Sequence, residues 1–234
     1  MKIGIVNDMP LAVEALRRAL AARDDFEVLW VASDGQQALD FCVAQRPDIV
    51  LMDLVMPNVD GIEATRRIMA RAPCAILIVT VDVGANAWRV YEAMGAGALD
   101  AVDTPSLSGS DAQKSITTLI AKIDSIGALV KERHAPASKA TEPSLRARNR
   151  ETPLVAIGAS AGGPAALATL LGGLPKDFGA AIVIVQHVDA AFAAGMADWL
   201  NQQSALPVRI AREDDRPQAG VALLAATDDH LHLK

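Results

Sequence analysis

The feature that most constrains this chain is a repeated alternation of short runs of β-branched and apolar residues with longer segments of helical period. Ile3–Val6 is followed by Leu11–Ala22, Val28–Ala32 by Gly35–Arg46, Ile49–Met52 by Gly61–Arg71, and Ala75–Val79 by Asn86–Met94. A fifth strand is expected at Ala98–Val102 and a long helix at Ser110–Val130, so residues 1–130 make five β-α units. Successive β-α units place their strands parallel and their helices on both faces, which is a five-stranded, doubly wound α/β fold. Pro10 in the first helical turn, Pro47 before the third strand and Gly95 after the fourth helix supply the punctuation. Aromatic residues are only 3% of the chain, leaving Ala, Val, Ile and Leu to build the core, as a sheet covered on both faces requires.

At residues 131–152 Lys, Glu, Arg, Ser, Pro and Thr displace the apolar period. This segment reads as a flexible, positively charged linker, with a solvated extension of the preceding helix as the alternative. A second β-α series occupies 153–234: a strand Leu154–Gly158, a helix Pro164–Leu171, a strand Ala181–Val185, a helix Phe192–Gln203, then short strands at Val208–Ala211, Val221–Ala225 and His230–Leu233. So short an α/β domain is expected to leave a sheet edge or face uncovered, and it reads as truncated.

Lys and Arg number 22 against 28 Asp and Glu, a net charge of −6, which argues against nucleic acid as a partner because phosphate neutralisation needs a basic surplus. Cys42 and Cys74 are far apart and form no C-x-x-C pair, so neither a zinc knuckle nor a disulfide framework is expected. The start of the chain lacks the apolar core of a signal peptide, and no run is long enough to span a bilayer. A cytoplasmic protein without direct membrane insertion is the expectation.

Ligands of an open parallel sheet sit at the carboxyl ends of its strands. Here strand one ends in Asn7-Asp8, strand three in Asp53 and strand four in Thr80. Converging carboxylates suit Mg²⁺, a hard cation that takes oxygen ligands, and leave Asp53 as a nucleophile toward a phosphoryl group. The runs Val6-Asn7-Asp8, Met52-Asp53-Leu54-Val55-Met56-Pro57-Asn58-Val59-Asp60-Gly61, Ile78-Val79-Thr80 and Gly95-Ala96-Gly97-Ala98-Leu99-Asp100 resemble a CheY-like response-regulator receiver. The resemblance implies that Asp53 accepts a phosphoryl group from a histidine kinase. It also implies that Asp8, Asp53 and the carbonyl of Val55 ligate Mg²⁺, and that Thr80 and Thr104 form the switch. Three positions depart from the pattern: Asn7 replaces one of the two acids usual after strand one, Thr104 replaces the lysine before Pro105, and Ala101 stands where an aromatic switch residue often lies. Phosphorylation is expected to survive with weaker metal binding and a different coupling to output, because Thr104 supplies no charge.

Ser160 lies in Gly158-Ala159-Ser160-Ala161-Gly162-Gly163-Pro164, between a buried strand and a helix. G-x-S-x-G describes a tight turn that exposes a nucleophilic serine beside the N–H groups of a helix start. A phosphate-cradling loop is the other reading, although no Gly-Lys-Ser/Thr follows. The next strand ends in Gln186-His187, where His187 is either a general base for Ser160 or a capping histidine. His134, His230 and His232 make no metal set by spacing.

The order receiver, linker, Gly-Ala-Ser-x-Gly-Gly and Gln-His is similar to the chemotaxis protein-glutamate methylesterase (CheB) family, and Asn7 to Ala12 with Asp103-Thr104-Pro105 resembles its Wsp-type branch. That resemblance implies a second, Rossmann-like methylesterase domain that hydrolyses glutamate methyl esters, and in part deamidates glutamines, on methylated chemoreceptors. Ser160 would be the nucleophile and His187 the base. The family's orienting Asp sits in a Gly-x-Asp-Gly segment that these 234 residues do not contain, and Asp228 and Asp229 match a noncatalytic segment. Weak esterase activity is therefore expected. The contrasting reading is a phosphoreceiver, or binding module, whose output domain is catalytically incomplete.

Overall fold

The computed structural model describes residues 1–109, 111–133, 153–188, 190–226 and 231. Strands β1 (Lys2–Val6), β2 (Glu27–Ala32), β3 (Ile49–Met52), β4 (Ala75–Thr80) and β5 (Asp100–Asp103) form one parallel sheet in the order β2-β1-β3-β4-β5. Helices α1 (Pro10–Leu20), α2 (Gly35–Ala44), α3 (Gly61–Arg71), α4 (Ala87–Gly95) and α5 (Ala112–Arg133) cover it. β3 and the body of β4 read as unbroken apolar runs because both faces are buried, and the two-residue period then splits the buried positions of the sheet between two layers. Ile3, Ile5, Ile49, Leu51, Leu77 and Val79 pack with Leu16 of α1 and Ile123 of α5. Val6, Val50, Met52, Ile76 and Ile78 face the opposite layer, with Leu39 of α2, Ile68 of α3 and Val90 of α4. Asp34 and Asp60 start α2 and α3 as N-caps, accepting the N–H of Gln37 and of Glu63, each at 2.9 Å.

β5 begins two residues later than the composition suggests, because the N–H of Ala98 returns to the Ala93 carbonyl at 3.0 Å and belongs to the exit of α4. α5 runs to Arg133 rather than Val130, and residues 134–152 of the expected linker lie outside the described residues. The sequence separation of the cysteines hides their proximity: Cys42 on α2 and Cys74 before β4 are both free, and the neighbouring Cys74 thiol together with burial pushes the Cys42 thiol up.

The second unit is a parallel sheet in the order β6-β7-β9-β8, from β6 (Leu154–Ala159), β7 (Ala181–Gln186), β8 (Val208–Ile210) and β9 (Ala222–Leu224), with α6 (Gly163–Gly172) and α7 (Ala190–Gln203). The expected strand His230–Leu233 lies outside the described residues except for Leu231, which is in no element. β6 is an edge, with Leu154 and Val155 exposed, so an uncovered apolar border is present as expected. Among the described residues no helix is long and apolar enough to cross a membrane.

The two units share a core. α4 packs on α6 and α7, and Tyr91, Met94, Leu167, Met196 and Trp199 belong to one apolar cluster. Tyr91 stacks on Trp199, with ring centroids 5.9 Å apart, and its hydroxyl donates to the Phe192 carbonyl at 2.6 Å.

Candidate functional site

The carboxyl edge of the first sheet gathers Asn7 and Asp8 after β1, Asp53 after β3, Thr80 at the end of β4 and Thr104 after β5. Asp53 is buried, with Oδ1 accepting the Leu54 N–H at 2.7 Å and Oδ2 accepting the Asn7 side-chain amide at 3.2 Å. Burial pushes its carboxyl above the usual carboxylate range; the N–H groups of Leu54 and Val55 oppose this, Asp8 adds to it, and the Arg89 charge opposes it. Asn7 acts differently from a metal-binding acid, because its Oδ1 accepts the Met9 N–H at 2.8 Å. Thr80 is buried and its hydroxyl lies 3.4 Å from the Asn86 amide that donates to it. The Thr104 N–H donates to the Thr80 carbonyl at 2.7 Å, while its buried hydroxyl has no partner among the described residues.

The Asp53 carboxylate, whose ionisation the nearby Asp8 makes costlier, the Asp8 carboxylate itself and a peptide carbonyl are a donor set suited to a hard cation. Asp8, Asp53 and the Val55 carbonyl therefore fit Mg²⁺, with water completing the shell. Because the folded-state pKa of Asp53 is raised, its contribution to stability is greatest below the ordinary carboxylate pKa and falls as pH rises through the folded value. Asp53→Asn is therefore expected to raise the urea midpoint at pH 7, with the gain shrinking on acidification. An unchanged midpoint at pH 7 would show that Asp53 carries no such penalty.

Arg89 on α4 has no sequence signal and was not foreseen. Its Nη2 donates to the Leu54 carbonyl at 3.3 Å and to Asp60 Oδ2 at 3.1 Å. Asp60 was legible only as part of the Asp-Gly loop.

The second site forms where β6 and β7 end side by side. Ser160 follows β6 and is exposed. Gly162 has φ 76°, a left-handed conformation that allows the chain to enter α6 at once. The Ser160 carbonyl accepts the Gly163 N–H at 2.7 Å, and the His187 N–H donates to the Ala159 carbonyl at 2.9 Å. Gln186 laces the two turns together, its Nε2 donating to the carbonyls of Ser160 at 2.9 Å and His187 at 3.2 Å. This role was not foreseen, although the polar Gln-His end of an apolar strand signalled it.

Ser160 and His187 line one cavity of about 240 Å³, together with Tyr91, Asp100, Asp103 and Lys122 from the first unit. Among the described residues no hydrogen bond joins the Ser160 hydroxyl to the imidazole; such bonds are often loose before substrate binds. The Gly162 N–H donates to the Leu99 carbonyl at 2.6 Å, so the first unit occupies a donor of the serine turn. That donor is spent and Lys122 is paired with Asp100 at 2.6 Å, which disfavours the phosphate-cradle reading. His134, Asp228, Asp229, His230 and His232 lie outside the described residues.

Residues 3–111 match the family model described as the response regulator receiver domain, and residues 155–234 match that of the CheB methylesterase. Over its full length the chain is 66% identical to protein-glutamate methylesterase/protein-glutamine glutaminase 2 of Burkholderia orbicola (strain AU 1054), of which it covers 69%. It is 65% identical, again over its full length, to protein-glutamate methylesterase/protein-glutamine glutaminase 1 of Burkholderia lata, also covering 69%. Among solved structures, the response regulator domain of Thermotoga maritima CheB superposes with a TM-score of 0.50 at 27% identity, over 55% of this chain and 96% of that one.

Proposed function

Because the chain belongs to the protein-glutamate methylesterase/protein-glutamine glutaminase family, with a response regulator receiver joined to a CheB methylesterase domain, we propose that it hydrolyses glutamate methyl esters on chemoreceptors under the control of Asp53. The receiver is assigned to 1–130, the linker to 131–152 and the methylesterase part to 153–234. Ser160 Oγ attacks the ester carbonyl, and His187 takes its proton and returns it to the departing methoxide, so methanol leaves and a glutamyl ester of Ser160 remains. Water, deprotonated by His187, then releases the glutamate carboxylate and restores the serine. A glutamine substrate follows the same path with ammonia as the leaving group.

Asp53 accepts its phosphoryl group from a histidine kinase. Bound Mg²⁺ would screen the charge of the incoming phosphoryl group from Asp8 and Asp53. A kinase donor and the signalling portion of a chemoreceptor place this work in the cytoplasm.

The observation that carries the reading is the shared cavity. Even a single helix is about 10–12 Å across with its side chains, and a 240 Å³ space walled by β5 and α4 does not admit a folded receptor segment of that width. The receiver thus walls one side of the cavity that the exposed Ser160 and His187 line, a partial cover that blocks a docked receptor segment, and phosphorylation of Asp53 is the event that lifts it.

The test is methanol release from a methylated chemoreceptor fragment, with acetyl phosphate and Mg²⁺. The donor is expected to accelerate release by the native protein and to leave Asp53→Asn unchanged; equal release in every case would remove Asp53 from control. The cover itself is testable without a donor. Tyr91→Ala removes the ring stacked on Trp199 and the bond to Phe192. Losing an aromatic anchor of roughly 2 kcal/mol is expected to raise basal release about 30-fold. Tyr91→Phe, which loses only the hydrogen bond, is expected to raise it about fivefold.

A further inference from the structure

After the fifth strand, where the receiver resemblance implies a lysine, Thr104 offers only a hydroxyl without a partner among the described residues. The receiver's lysines do not replace it. Lys2 opens β1 at the far end of the sheet, Lys114 is exposed on α5, and Lys122 is held by Asp100 at 2.6 Å. A guanidinium is present instead, and it comes from α4. Arg89 Nη2 donates to the carbonyl of Leu54, the residue whose own N–H donates to Asp53 Oδ1. Its Nε is buried with no acceptor among the described residues, although a guanidinium has five N–H donors in a fixed fork that matches phosphate oxygens. Its remaining partner is a loose one: the Asp60 pair is about two-fifths exposed on both sides, and Asp60 is already engaged as the N-cap of α3.

We propose that Arg89 is the phosphoryl-binding cation of this receiver, leaving Asp60 and the Leu54 carbonyl to grip the phosphoryl oxygens on Asp53 and so shifting α4 against the methylesterase domain. The inference rests on the reading of Asp53 as the acceptor. In the chemical step an Asp53 carboxylate oxygen forms a bond to phosphorus while the bond between phosphorus and the donor's leaving group breaks. With acetyl phosphate that leaving group departs as acetate, with no proton needed from the protein. Arg89 contributes charge to the oxygens that remain on phosphorus. The position of the residue gives it a second consequence. Two residues on, Tyr91 holds Phe192 and Trp199, so a guanidinium drawn toward Asp53 loads the helix that carries the clamp. The departures at Thr104 and Ala101 then have one explanation: capture and relay are both assigned to α4, not to β5.

The experiment measures phosphoprotein formed from acetyl phosphate with Mg²⁺ in the full chain, and its lifetime after the donor is removed. Native protein, Asp53→Asn, Arg89→Ala, Arg89→Lys and Asp60→Asn are compared, each first checked for folding by circular dichroism. Native protein is expected to be phosphorylated and Asp53→Asn not. Arg89→Ala is expected to lose about tenfold in phosphoprotein, with partial recovery in Arg89→Lys, since a charge-assisted contact is what is removed. Asp60→Asn keeps an N-cap oxygen but frees Arg89, so it is expected to match or exceed native. Were Arg89 only a structural tie to Asp60, Asp60→Asn and Arg89→Ala would fall together and Arg89→Lys would bring no recovery. Native-level phosphorylation of a folded Arg89→Ala overturns the inference while leaving Asp53 as acceptor. No phosphorylation of the native protein overturns the acceptor reading, and the inference with it.

Discussion

Ser160→Ala is expected to lower methanol release from a methylated chemoreceptor fragment by roughly a hundredfold, to the residual rate that binding and backbone donors alone sustain. The size follows from how triads fail. In a well-studied serine hydrolase, loss of the nucleophile costs about 2 × 10⁶ in kcat and loss of the orienting acid alone about 3 × 10⁴. A serine and histidine working without an orienter therefore retain roughly two orders of magnitude for the serine to lose. The substitution removes one exposed hydroxyl from a turn held by backbone bonds and by Gln186, so the fold is expected to stay intact. Release that persists in Ser160→Ala would assign the chemistry elsewhere.

Providing the orienter is expected to have a larger effect. These 234 residues contain no Gly-x-Asp-Gly run. The His187 backbone is fixed by its bond to Ala159, but no described carboxylate bonds to its ring, so tautomer and angle are free to vary. The family resemblance implies an orienting Asp in such a run, and appending the corresponding C-terminal segment of a relative is expected to raise turnover by about 10⁴-fold. An appended segment whose acid is changed to Asn should give most of that gain back. If both extended proteins are equally fast, the added segment acts through packing along β6 and not through His187.

Much of the fold was legible because its signals are local. The apolar runs of β3 and of β4 up to Val79 announce strands buried on both faces, and Asp34 and Asp60 announce helix starts through the hydrogen bonds that they make. β5 was misplaced by two residues because the bond from Ala98 to Ala93 that closes α4 has no compositional mark. The site divides in the same way. Asp53, Thr80, Ser160 and His187 stand at strand ends, where polar residues interrupt apolar runs, so their places at the carboxyl edges of the two sheets were legible from single positions. Arg89 and Tyr91 owe their importance to what lies across the helix, and Gln186 to two carbonyls on different loops. Neither kind of relation leaves a period or a motif in the chain. The proximity of the Cys42 and Cys74 thiols was hidden for the same reason.

The stack of Tyr91 on Trp199 closes a thermodynamic cycle. If a phosphoryl group on Asp53 favours the separated domains by some factor, then a receptor helix seated on Ser160 must favour the phosphorylated receiver by that same factor, because the coupling free energy belongs to the molecule and not to either ligand. A crowded array of methylated receptors would then hold this protein's phosphoryl equilibrium toward the charged form, and demethylation would release that hold. The enzyme in this way measures its own substrate: the product of its activity weakens the state that made it active.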